Sequence, residues 1–160
     1  TAADYNEFRA CATMIDRSKL ENVILVADRG YENYNIFAHA IEKGWKFAIR
    51  IKDKNSNGIA SGLNFPPNDE FDIDITQIFS RENTKTTKNA DYKWMPVNQV
   101  FDYLPRKSDK TYELSFEMAH YADIGIILHR EKYIRATRST SSFDLISLLV
   151  ASIIGCSVMP

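Results

Sequence analysis

An aspartate closing a short apolar run is the residue of this sequence best placed to do chemistry. In VILVADRGYEN, residues 23–33, Asp28 follows five apolar residues and precedes a turn around Gly30. A carboxylate at such a point can face a ligand while its backbone belongs to a rigid core. Hard divalent cations, Mg²⁺ or Mn²⁺, are the natural guests of such an oxygen donor. One carboxylate is not a site: two-metal phosphoryl transfer needs several, converging on ions about 3.5 to 4 Å apart. Glu32 could approach the same cleft, Arg29 could meet a phosphate, and Tyr31 is expected to pack over the turn. A strand-end cap, or a salt bridge from Asp28 to Arg29, is the competing reading that these residues alone leave open.

The elements that must position Asp28 follow from periodicity. Tyr5, Phe8, Cys11, Ala12 and Ile15 recur at spacings of three and four, which predicts a helix over residues 4–17, capped by Thr1 or Asp4. The unbroken apolar run 23–27 predicts a strand covered on both faces, as in a parallel sheet flanked by helices. Asn33 is a fitting N-cap for a helix over 34–43, with Ile36, Phe37, Ala40 and Ile41 turned inward and Gly44 as its left-handed stop. In KFAIRIK, residues 46–52, Phe47, Ile49 and Ile51 alternate with Lys46, Ala48, Arg50 and Lys52. Such alternation predicts a second strand nearer a sheet edge, or with one face free. Strand, helix and strand joined this tightly form a right-handed parallel crossover, with Asp28 at the carboxyl end of its first strand, the edge where open α/β sheets bind ligands.

The character changes at Asp53. Residues 53–69 carry Gly58, Gly62, Pro66 and Pro67 and read as a loop; strand-like runs follow at 71–75, 97–104, 112–120 and 124–129. The polar stretch 80–93 suits a hairpin loop or exposed arm. The apolar segment 143–159 is short for a membrane span and contains Asp144, so it reads as a buried or partner-facing element.

Composition narrows the class. With 44% apolar residues, 5 prolines and 6 glycines in 160 residues, the chain is a folded globular one. Twenty basic against 21 acidic residues leave a formal charge of −1, so any nucleic-acid surface must come from clustering. Cys11 and Cys156 form no CxxC pair, and His39, His120 and His129 are scattered, which argues against zinc. Nothing at the start reads as a signal peptide, and a reduced, cytoplasmic setting is expected. A nucleotide-binding domain lacks its loop, since neither GxGxxG nor GKS/T occurs.

ADRGYEN, the amphipathic helix after it and KFAIRIKD together resemble the catalytic domain of the IS4-like DDE transposases; NEFRACATMIDR, residues 6–17, is similar to the helix preceding their second acidic strand. The resemblance implies an α/β fold, a partial ribonuclease H-like core with a β-rich insertion, and assigns Asp28 as the second acid of the triad and a metal ligand. The expected division is core over 1–63, insertion over 64–129 and a C-terminal segment over 130–160. The family's first acid lies upstream of anything present here, and its third, in Y-x2-R-x3-E-x6-K, has no counterpart; Glu131 in HREKY has the wrong spacing. The expectation is therefore a fragment of an enzyme that cleaves and joins DNA at transposon ends with Mg²⁺ or Mn²⁺. With one of three acids, the chain alone should be inactive and hold no ion stably. Phosphate contacts would come from Arg29, Lys46, Arg50, Lys52, Lys85 and Lys88, with Arg81, Arg130, Lys132, Arg135 and Arg138 as further candidates. The alternative is a noncatalytic domain that associates with its own copies through open sheet edges or the apolar C-terminal run.

Overall fold

A computed structural model describes residues 6–52, 56–67, 70–83, 92–121 and 124–129. Thr1, Asp4, Lys85, Lys88 and everything after residue 129, including Glu131 and the apolar segment, lie outside the described residues.

Helix α1 (Glu7–Arg17) is capped by Asn6, whose side chain accepts from the Arg9 amide at 3.0 Å, and it buries Ala12 and Ile15. Strand β1 (Ile24–Ala27) leads through a 3-10 turn (Arg29–Tyr31) into α2 (Tyr34–Glu42). Asn33 caps α2 as its position predicts, accepting from the Asn35 amide at 2.8 Å. Gly44, at φ +72°, ends the helix in the left-handed conformation that glycine adopts without steric cost, and Trp45 closes the turn through its amide on the Ala40 carbonyl at 2.8 Å. Strand β2 (Lys46–Arg50) then runs parallel to β1, with Leu25 opposite Phe47 and Ala27 opposite Ile49.

Four further strands complete one sheet: β3 (Phe71–Ser80), β4 (Tyr92–Trp94), β5 (Thr111–Tyr121) and β6 (Ile124–His129). The order is β1-β2-β6-β5-β3-β4. The β1/β2 and β3/β4 pairs are parallel; β2/β6, β6/β5 and β5/β3 are antiparallel. The fold is thus mixed α/β, compatible with a partial ribonuclease H-like core. Its strand-rich second half joins the first through β6, which lies against β2.

The core gathers α2, Phe47 and Ile49 of β2, Phe79 of β3, and Leu114 and Phe116 of β5. Phe37 stacks on Phe47 with ring centroids 5.2 Å apart, which seats α2 on that face of the sheet. Residues directly opposite on paired strands share a face, so Ile24, Val26, Lys46, Ala48 and Arg50 lie on the other side.

Three expectations need correction. β1, read as the better-buried strand, is the edge: Ile24 is 53% and Val26 42% exposed, whereas β2 lies between β1 and β6 and buries Phe47, Ala48 and Ile49. Periodicity reported how apolar each strand is, but neighbours decide burial. Residues 97–104 are turns instead of a strand, with Phe101 and Leu104 buried by packing of the loop. The run beginning at Phe71 continues to Ser80, because its full length pairs with β5, from Phe71 opposite His120 to Ser80 opposite Thr111.

Candidate active site

Asp28 follows the last residue of β1, and its backbone carbonyl accepts from the Tyr31 amide at 2.9 Å, opening the 3-10 turn. The turn carries Arg29 away from the strand on the exposed side and brings Tyr31 back to a half-buried position against the core. The Asp28 side chain is exposed and makes no hydrogen bond or ion pair with the described residues, so neither the strand-end cap nor the salt bridge to Arg29 is formed. It borders a groove of about 620 Å³ between α1 and the open edge of β1, whose walls include Glu7, Cys11, Met14, Val26 and Tyr31. Burial pushes the Cys11 thiol up, which makes it a poorer nucleophile and metal ligand.

Glu32 has a different job. Its carboxylate accepts from the Lys52 amide at 3.0 Å and from the Ile59 amide. Each oxygen accepts from one backbone donor, which ties Glu32 to the Lys52 and Ile59 amides rather than to Asp28. Nothing local in the sequence announces this, because Lys52 and Ile59 reach Glu32 only when β2 returns beside β1.

The basic candidates separate along the strands. Arg29 lies in the turn, Arg50 ends β2 and Lys52 follows it, so all three stand at the Asp28 end of the sheet. Lys46 begins β2 opposite Ile24, at the other end of the pair, roughly 13 Å from Arg50 along the strand. Arg81, a surface candidate on sequence, is buried and donates to the carbonyls of Met95, Pro96, Gln99 and Leu104.

A second polar cluster joins the helices to the 96–104 turns. The buried His39 ring has Nδ1 2.7 Å from Asp16 Oδ1 and Nε2 2.9 Å from Asp102 Oδ2. Asn35 donates to Asp102 Oδ2 at 2.8 Å and accepts from the Asp102 amide at 2.8 Å. The Tyr103 hydroxyl, 3.3 Å from His39 Nδ1, is pushed up to about 12 by burial and by Asp16, Glu42 and Asp102. These groups are bound to one another, and the arrangement is a brace. Lys93, which donates to the Tyr34 hydroxyl at 3.1 Å, is shifted down by burial and ties β4 to α2.

A family profile for the transposase DDE domain matches residues 1–126. The chain belongs to that family. No curated protein and no solved structure matches. Transposases act on DNA, cleaving and joining it, and DDE domains in general use divalent metal ions. This DDE domain brings one free carboxylate, Asp28, to the carboxyl edge of its parallel strand pair. No group of three or more His, Cys, Asp or Glu side chains among the described residues could hold a metal ion. No helix among the described residues is long and apolar enough to cross a membrane.

Proposed function

We propose that this chain is part of an IS4-like DDE transposase in which Asp28 is the second acid of the triad and one ligand of a Mg²⁺ or Mn²⁺ site. The observation that carries the reading is the contrast between the two acids of the DRGYE turn. Among the described residues the Asp28 side chain is exposed and has no partner, while each Glu32 oxygen accepts from a backbone amide. A structural aspartate at a turn normally accepts a nearby N–H; a carboxylate left free beside a groove is available to a ligand.

Arg29, Arg50 and Lys52 are the phosphate contacts this reading favours, since they share the Asp28 end of the sheet. Lys46, at the other end of β2, would meet DNA only along a longer track, and Lys85 and Lys88 are assigned by sequence alone. The division into core over 1–63, insertion over 64–129 and C-terminal segment over 130–160 belongs to the same reading, as does a cytoplasmic setting. The remaining two acids are assigned to sequence outside this chain, which is then a fragment without activity of its own. Among the described residues β1 ends the sheet with Ile24 and Val26 exposed, an arrangement compatible with a further strand beside it.

The test is a longer gene product holding two more acids, assayed for DNA nicking with Mg²⁺ or Mn²⁺. Metal-dependent nicking abolished by Asp28→Asn is the expected result. A protein with all three acids that never nicks DNA would sink the enzymatic reading. A second reading, association of this chain with its own copies, is favoured by the same apolar edge strand.

A further inference from the structure

Glu32 joins two parts of the molecule that are far apart in sequence. On its N-terminal side the 3-10 turn runs straight back to Asp28, through the Tyr31 amide on the Asp28 carbonyl at 2.9 Å and the Glu32 amide on the Arg29 carbonyl at 3.4 Å. Through its side chain it holds the Lys52 amide, just beyond β2, and the Ile59 amide, at the start of the second 3-10 turn (Ile59–Gly62). Two backbone donors on one carboxylate are charge-assisted bonds, stronger than neutral ones and more restrictive in direction.

The fit around this carboxylate is close. A Cβ placed on Gly58 would lie 2.7 Å from Glu32 Oε1, 3.1 Å from Oε2 and 2.9 Å from Lys52 Cβ. Glycine at 58 is therefore a condition for the Glu32 contact, and its φ of −97° shows that close approach, and not a left-handed backbone, is what requires it. The tie also fixes Lys52, and with it the exit of β2 from Arg50 onward, relative to the Asp28 turn.

We propose that Glu32 is a positioning residue for the acidic site: it clamps the turn that carries Asp28 to the segment leading from β2 into the second half of the chain. Asp28 and the Arg50–Lys52 exit are then held in one fixed relation. The role rests on the reading of Asp28 as a site residue. The clamp itself, however, can be tested without it.

The first measurement uses this chain and NMR. In the wild type, the Lys52 and Ile59 amide protons should be protected from hydrogen exchange, because the Glu32 carboxylate accepts from both. Glu32→Gln keeps the volume but turns a donor toward one of two amides; it should weaken that protection and move the resonances of residues 28–31. Gly58→Ala should produce the same displacement in an otherwise wild-type chain and much less in a Glu32→Ala background. Unmoved 28–31 resonances in both Glu32→Gln and Gly58→Ala overturn the proposal.

The second measurement uses the longer, metal-dependent protein. Glu32→Gln should lower the nicking rate at saturating DNA at least tenfold while KM for DNA stays within twofold, because the DNA contacts remain and the acid is misplaced. Glu32→Asp, one methylene short, should not rescue the rate. If Asp28→Asn abolishes nicking and Glu32→Gln leaves it intact, positioning is refuted while the transposase reading survives. If Asp28→Asn has no effect, that reading fails, a role for Glu32 at an acidic site falls with it, and the NMR result decides the clamp alone.

Discussion

Arg81 grips the Leu104 carbonyl with two of its nitrogens, Nε at 3.1 Å and Nη2 at 2.9 Å. Its third nitrogen reaches the carbonyls of Met95, Pro96 and Gln99 at 3.2, 2.6 and 3.1 Å. One buried guanidinium at the end of β3 thereby satisfies the backbone of turns that have no ladder of their own. Truncation would leave buried carbonyls without donors, a cost paid in full because water cannot reach them. Arg81→Met is expected to destabilise the fold by about 3 kcal/mol in urea unfolding. Arg81→Lys should recover only part of this, since an ammonium lacks the planar fork.

The brace around His39 gives a pH dependence with a defined sign. Burial alone would raise the Asp102 carboxyl, but hydrogen bonds from Asn35 and His39, and the charges of His39 and Arg9, hold it below its ordinary 3.8. A carboxyl depressed in the folded state contributes stability above its ordinary value and loses that contribution as pH falls through the folded value. Thermal unfolding midpoints measured below about pH 4 should therefore drop more steeply in the wild type than in Asp102→Asn. Parallel curves for the two proteins would show that Asp102 is not linked to folding.

The Asp28 side chain, by contrast, has no bond to lose among the described residues. Asp28→Asn is expected to change unfolding free energy by no more than about 0.5 kcal/mol, as for a surface position without partners. In a metal-dependent longer protein the same substitution should remove activity. A stability loss of several kcal/mol would mean that the aspartate is structural, and the case for it as a site residue would collapse.

What the sequence made legible was local. Asn33 and Gly44 delimit α2 through caps that involve neighbouring residues only, and Asp28 is recognisable because a strand end followed by a turn is a short-range pattern. The burial of β1 and β2 was read the wrong way round because it depends on β6, which pairs with β2 from the far side of the second half of the chain. The burial of Arg81 is hidden for the same reason, since an arginine in a polar stretch suggests a surface, and the role of Glu32 is no more visible from its neighbours. Their true partners are backbone groups of segments that only the folded chain brings near. The site's candidate acid was visible, whereas the residues that hold it in place were not.

The open edge of β1 yields the remaining prediction. Ile24 and Val26 project from the face opposite α2 on a strand whose outer backbone groups have no neighbouring strand among the described residues. Such an edge pairs readily with another copy of itself, and a lysine is the usual deterrent, since it charges the face and must be desolvated for a second strand to dock. Sedimentation velocity over a range of concentrations should show wild-type chains growing in size, while the Ile24→Lys/Val26→Lys variant stays monomeric. The double variant should unfold within about 1 kcal/mol of the wild type, because both side chains already face solvent. A wild type that remains monomeric throughout would dispose of the self-association reading; association unaffected by the lysines would move it from β1 to another surface.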